Sequence, residues 1–450
     1  MSEMIPLCDP IACVAAECSP TVCTGLGVPS NRLLFERSKE AIPGGVNSSI
    51  RAFRSVGGEP YVVARADGAT ITDVEGTTYL DLVQSYGAVI LGHAHPAITA
   101  AVSRAAVDGT SYGAPTPREM KLAEAISARV PSCERVRLMN SGTEATSTAI
   151  RLARGVTGRD RIVTFAGNFH GATDALLVAG GSGIATLGLP GTAGVPNAAV
   201  AETVVAPYNI VPTLTEDVAA VIVEPVAANM GVVAPEAGFL AGLRQECDRV
   251  GALLIFDEVI TGFRLAPGGA QEKFDVTPDI TCFGKVIGGG LPIGAVGGRA
   301  DVMEQLSPMG AVFHAGTLSG NPLATAAGLA ALDRLTGDVY IELMARARHL
   351  AALMRDACAA AGFPARFPVV GTLFGIVCGD DAANPVRNFD DAKTTDEAAY
   401  ARFFQAMLAE GVALAPGAYE AIFVGLAHTD DVIDRLGDAT AKAAAAAVTT

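Results

Sequence analysis

A short apolar stretch, Ala252 to Phe256, ends on two acids, Asp257 and Glu258. Read as a strand of a doubly wound sheet, it delivers both acids to its carboxyl end, where such sheets hold their ligands. A carboxylate there can keep a pyridinium-type nitrogen protonated, which turns the ring into an electron sink. It can equally cap a turn or pair with an arginine. The next apolar run, Ile280 to Phe283, leads to Lys285 and a turn of three glycines, Gly288 to Gly290. Apolar neighbours such as Cys282 and Phe283 desolvate an amine, lower its pKa and suit it to Schiff-base chemistry. A solvated lysine after a strand is the plain alternative. Two such groups at the ends of successive strands support each other.

A third element is RLMNSGTEATSTAIRLAR, in which a strand ends at Asn140 and Ser141, Gly142 and Thr143 open a helix with Glu144 in its first turn. Small residues leave the first N–H groups of a helix accessible, and the positive end of the helix dipole suits a phosphate. An ordinary Ser/Thr cap fits the same residues. The loop GTLSGNP, Gly316 to Pro322, offers further hydroxyl and amide donors, or a simple turn.

These groups need a scaffold. Strands are expected at Arg135–Met139, Arg161–Phe165, Ala219–Val223, Ala252–Phe256 and Ile280–Phe283. Helices such as Glu144–Gly155 and Gly238–Val250 lie between them. Apolar strands separated by helices imply an α/β fold with a mostly parallel sheet covered by helices on both faces. A short helix at Arg32–Ile42 and an antiparallel meander at Tyr61–Leu82 precede it. A smaller α+β unit follows, with helices at Tyr340–Ala361, Thr395–Gly411 and from Val432, and a strand at Thr372–Val377. The expected division is a poorly ordered extension at 1–30, a segment at 31–85 packing with the smaller unit, a large domain at 86–337 and the smaller domain at 338–450. The Gly-rich stretch 179–196 reads as a long functional loop.

With 450 residues, 50% of them hydrophobic and 18% charged, the chain can bury a sizeable core. A net charge of −15 argues against nucleic acid or an anionic membrane as partner. No apolar run approaches the roughly 18–20 residues of a membrane span. A soluble, cytoplasmic chain is expected. Of nine cysteines, Cys8, Cys13, Cys18 and Cys23 recur at a five-residue spacing that matches neither paired zinc ligands nor one helix face. Reduced thiols and no metal site are therefore expected, with a metal cluster or disulfide pair among these four as the alternative. His93 and His95, and the sequon at Asn47-Ser48-Ser49, carry no function on this reading.

Taken together and in this order, the motifs resemble fold-type I pyridoxal-phosphate enzymes, and among them the class III aminotransferases. The likeness runs from about Arg32 to Ala445. It rests on PGGVNSSIRAFRSVGG (43–58), GHAHP (92–96), NSGTEAT (140–146), EPVAANMGVV (224–233), FDEVITGFR (256–264), FGKVIGGGLPIGAVGG (283–298), AGTLSGNP (315–322) and LAPGAYEAIF (414–423). The resemblance implies pyridoxal 5'-phosphate, or its pyridoxamine form, as cofactor. Lys285 then carries the cofactor and moves protons, and Asp257 partners the ring nitrogen. Ser141, Gly142 and Thr143 cradle the phosphate, with Thr317 donated by the second subunit of a homodimer. Asn229 lies near the ring hydroxyl. Arg51, helped by Ser48, binds the carboxylate of a small anionic amino-aldehyde or amino-acid substrate, which would otherwise be repelled by an acidic protein.

The stretch 179–196, with Ser182, resembles a gating loop. Glu420 stands where transaminases using 2-oxoglutarate need a cation, which points to the family's aminomutase branch, or intramolecular aminotransferases. An ω- or β-amino-acid transaminase is the alternative, and a non-catalytic scaffold a more distant one. Phe169 replaces a usual tyrosine, Tyr86 a usual tryptophan, Ala228 a glycine and Ser49 a proline, and these positions line or neighbour the site.

Overall fold

The computed structural model describes residues 30–178, 192–380 and 384–449. Ser182, most of the stretch 179–196 and the four N-terminal cysteines lie outside them. Three short antiparallel strands come first: β1 (Val63–Asp67), β2 (Thr70–Asp73) and β3 (Thr78–Asp81). The large sheet follows, made of β4 (Arg135–Met139), β5 (Arg161–Phe165), β6 (Thr203–Ala206), β7 (Val218–Val223), β8 (Leu253–Asp257), β9 (Ile280–Gly284) and β10 (Gly294–Gly298). Its spatial order is β4-β10-β9-β8-β7-β5-β6. All neighbouring pairs are parallel except those of β10, which runs antiparallel to both β4 and β9.

β7, β8 and β9 are buried along their whole length, as uninterrupted Val/Ile/Leu runs require in a sheet covered on both faces. The five expected strands all form. Two more, β6 and β10, were not expected. β10 reads Gly-Ala-Val-Gly-Gly, a composition that disfavours strands. Its glycines are there for close approach: a Cβ on Gly294 would sit 2.1 Å from the Ser141 carbonyl oxygen, and one on Gly298 2.4 Å from that of Asp279.

The chain beyond residue 337 packs back on the first strands. Val412–Ala413 pairs in parallel with β3. Leu80 and Leu82 share one buried cluster with Leu350 of the Gly337–Ala361 helix, Phe403 of Glu397–Ala409 and Leu436 of Asp430–Thr449. The strand expected at Thr372–Val377 is instead two short pieces, Leu373–Phe374 and Val377–Cys378, in different sheets. Gly375 lies between the two pieces, where the Gly231 carbonyl oxygen would sit 2.2 Å from a Cβ. Among the described residues no helix is long and apolar enough to cross a membrane, and no group of three or more His, Cys, Asp or Glu side chains is placed to hold a metal ion.

Candidate functional site

The parallel strands bring their carboxyl ends to one edge, and the chemistry-bearing residues stand there. β4 leads into Asn140 and Ser141, β5 into Phe169 and His170, β7 into Glu224, β8 ends on Asp257, and β9 leads to Lys285. Around them lies a cavity of about 340 Å³ lined by Ser141, Gly142, Thr143, Phe169, Asn229, Asp257 and Lys285. That volume falls within the roughly 300–1,000 Å³ of small-molecule sites. Seven of the residues singled out from the sequence thus meet in one place.

Asp257 is buried, and its Oδ2 lies 2.7 Å from Nδ1 of His170, itself buried. Its Oδ1 accepts the Val259 N–H at 3.1 Å. Nε2 of His170 is buried without a hydrogen-bond partner. Lys285 holds a left-handed backbone (φ 47°), which non-glycine residues adopt at a cost and mostly at functional sites. Burial lowers its pKa and favours the neutral amine, while the charges of Asp257, Glu224 and Glu420 oppose that shift.

Ser141 caps the Gly142–Thr157 helix, its hydroxyl oxygen accepting the Glu144 N–H at 3.2 Å. Gly142 and Thr143 open that helix, so their N–H groups have no carbonyl within it to bind. The turn after Phe169 closes tightly on this helix end. A Cβ on Gly171 would sit 2.3 Å from the Thr143 hydroxyl oxygen, which accepts the Ala172 N–H at 3.2 Å. The result is a cradle of backbone amides with the positive helix end behind it, suited to an anionic group.

One carboxylate ties the far wall together. Oε1 of Glu224 accepts the Phe169 N–H at 2.8 Å and Nδ2 of Asn229 at 2.6 Å, and Oε2 accepts the Ala228 N–H at 2.9 Å. Burial pushes its pKa up to about 7, with Asp257 adding to the rise and His170 opposing it. Sequence reasoning assigned no role to Glu224 or His170. Glu224 directly follows a strand, the feature that marked Asp257 and Lys285, whereas His170 stands five residues beyond β5 and carried no such signal.

The residues expected on the substrate side lie next door. Arg51 and Tyr86 line a second cavity of about 380 Å³, together with Tyr61, Asp81 and His93. The turn carrying Tyr86 packs against the turn that follows Lys285. Burial and then the charge of Glu420 raise the Tyr86 pKa, and Arg51 opposes them. Glu420 therefore faces both Tyr86 and Lys285 electrostatically. Ser48 is exposed and lines neither cavity, but its carbonyl accepts the Arg51 N–H at 3.0 Å. Thr317 is exposed and lines a separate cleft with Tyr112 and Glu119, one that Lys285 does not line.

The family model Aminotransferase class-III matches residues 53–442, so the chain belongs to the class-III aminotransferases. It is 52% identical over 413 residues to the glutamate-1-semialdehyde 2,1-aminomutase of Nitratidesulfovibrio vulgaris (strain Miyazaki F), covering 90% of this chain and 96% of that relative. Among solved structures it is similar to an omega-transaminase from Sphaerobacter thermophilus, with 34% identity, a TM-score of 0.84, and 95% of this chain and 99% of that one covered. It is also similar to a glutamate-1-semialdehyde-aminomutase from Pseudomonas aeruginosa PAO1 in complex with PMP, with 26% identity, a TM-score of 0.81, and 92% and 93% covered.

Proposed function

We propose that the chain is a pyridoxal-phosphate-dependent aminomutase that converts (S)-4-amino-5-oxopentanoate, glutamate-1-semialdehyde, into 5-aminolevulinate for tetrapyrrole synthesis. The observation that carries this reading is the 52% identity to an aminomutase over nearly the whole length of both chains.

The residues of the first cavity fit the cofactor. A helix N-terminus with open amides would hold the phosphate, a buried carboxylate would hold the ring nitrogen, and a desolvated lysine lines the same cavity. Bound there, pyridoxal 5'-phosphate or its pyridoxamine form supplies a ring that withdraws electrons from the carbon gaining or losing the amine. Ser141, Gly142 and Thr143 hold the phosphate. Asp257, oriented by His170, holds the ring nitrogen's proton. Phe169 and Asn229, both fixed by Glu224, would hold the ring from the far wall, Phe169 by its face and Asn229 by its amide. Lys285, whose pKa burial lowers, would take a proton from one substrate carbon and return it at the other. Arg51, with Ser48, binds the substrate carboxylate. The negative charge of Glu420 repels a second carboxylate and so disfavours 2-oxoglutarate as an external acceptor.

Thr317 serves the cofactor phosphate of a second copy, making a homodimer. Tyr112 in the same cleft and Leu318 next to Thr317 in the chain are exposed, apolar side chains that suit a second copy of the chain. The five described cysteines are free and buried, as fits a reducing cytoplasm.

Incubation with glutamate-1-semialdehyde alone tests the assignment. 5-Aminolevulinate is expected without added amino donor or keto acceptor. The likeness to an omega-transaminase keeps a second reading in view, transfer between two substrates. Sustained turnover only with a separate donor and acceptor would replace the first reading with that one.

A further inference from the structure

We infer that Arg264 is a positioning residue for the substrate side of the site: its guanidinium clamps the turn that carries Tyr86 to the segment that follows Glu420. The inference rests on the aminomutase reading only for the substrate used to test it.

Arg264 is fully buried. Its Nη2 donates to the Gly87 carbonyl at 2.9 Å and its Nη1 to the Val424 carbonyl at 3.2 Å. The guanidinium carbon lies 5.3 Å from the centre of the Phe423 ring. One planar fork therefore touches two chain segments far apart in sequence, a geometry that lysine's point charge cannot copy. Burial lowers its pKa to about 10, so it remains a cation at neutral pH. Retaining a cation against neutral carbonyls in the interior is unfavourable unless the geometry it imposes is needed.

The turn it holds needs holding. Gln84, Ser85 and Tyr86 have φ of 46°, 52° and 53°, three consecutive non-glycine residues in the left-handed region. Such backbone persists only where its surroundings over-determine it. At the start of the turn, the Asp81 carboxylate accepts the Val83 and Gln84 N–H groups at 2.8 and 3.1 Å. At its end, Arg264 takes the Gly87 carbonyl. Gly87 is pressed against the same structure, since a Cβ there would sit 2.6 Å from the Phe423 ring and 3.3 Å from Nε of Arg264. On the other side, Phe423 donates its N–H to the Leu82 carbonyl at 3.1 Å, so the segment after Glu420 is tied to the chain just before the turn. Arg264 itself lies seven residues beyond Asp257, in the run that leaves β8. It thus couples the cofactor strand to both substrate-facing segments.

The test compares Arg264→Lys, Arg264→Met and Tyr86→Phe, singly and combined. For the Arg264 variants the KM for glutamate-1-semialdehyde is expected to rise about tenfold or more, with kcat within about threefold and bound cofactor absorbance unchanged. Because Arg264 acts through the turn, combining Arg264→Met with Tyr86→Phe is expected to cost less than the sum of the single changes. Amide exchange of residues 82–91 is expected to quicken in Arg264→Lys while peptides of β7 to β9 stay protected. That readout needs no turnover, so an inactive wild type would overturn the substrate reading and leave this inference testable. Additive effects, unchanged exchange at 82–91, or failure of both Arg264 variants to fold would each overturn it.

Discussion

Asp257 and His170 lie 87 residues apart in the chain and 2.7 Å apart in the fold, and the ionic character of the site starts there. On the proposed function, Lys285 is the group with the least tolerance for change. Lys285→Ala is expected to lower turnover by at least 10³-fold while the fold and cofactor binding persist, as followed by steady-state rates and absorbance; general acid–base groups alone account for about 10²–10⁴. Glu224 gives a stability test with a definite sign. Its folded pKa, about 7, lies above the ordinary value of 4.5, so between those pH values the folded chain keeps a proton that the unfolded chain has lost. Stability therefore falls as pH rises through that window, by up to ~1.4 kcal/mol per unit, and levels off above it. Glu224→Gln removes the titration. Denaturant unfolding of the cofactor-free protein from pH 5 to 8 is expected to show the wild type losing stability relative to the variant, and parallel curves would refute the assignment.

Among the elements, the Gly142–Thr157 helix and β10 depend on each other. The helix cap at Ser141 is worth about 1 kcal/mol, so Ser141→Ala is expected to lower the unfolding midpoint modestly. Gly294→Ala drives a methyl into the Ser141 carbonyl, a backbone atom that cannot rotate away. The expected cost is roughly 1–3 kcal/mol of overpacking, together with a weakened affinity for pyridoxal 5'-phosphate, measured by cofactor titration of the stripped protein. The β10 glycines explain why this strand escaped sequence reasoning. Strand propensity reports side-chain packing, and β10 is selected for having almost no side chains. Gly375, between the two pieces of the expected strand, likewise approaches the Gly231 backbone in a way that no local pattern encodes.

At the scale of the whole molecule, Thr317 lines a different cleft from the first cavity of its own chain, so subunit exchange tests the proposed homodimer. Thr317→Asp and Lys285→Ala are each expected to be inactive alone. Reassociated in equal amounts, they are expected to recover about a quarter of wild-type activity, because in a two-fold dimer half the pairs are mixed and each mixed pair has one intact site. No recovery would place Thr317 outside the partner's site.

The strand-end positions of Asp257, Lys285 and the Ser141–Thr143 cradle were legible in the sequence because each follows directly on an apolar run. Local periodicity is enough to put a residue at the edge of a parallel sheet. Family resemblance then supplied the chemistry of Arg51, Tyr86 and Glu420, which have no local signature. Only the tertiary structure decided which groups face one another. It set His170 against Asp257, used Glu224 to hold Phe169 and Asn229, and placed the charges of Glu420 and Arg51 around Tyr86. Apart from the Glu224–Asn229 bond, which spans five residues, these contacts join segments tens to hundreds of residues apart. Their geometry comes from how sheets, turns and helix ends pack, and that packing is not written in any short stretch of chain.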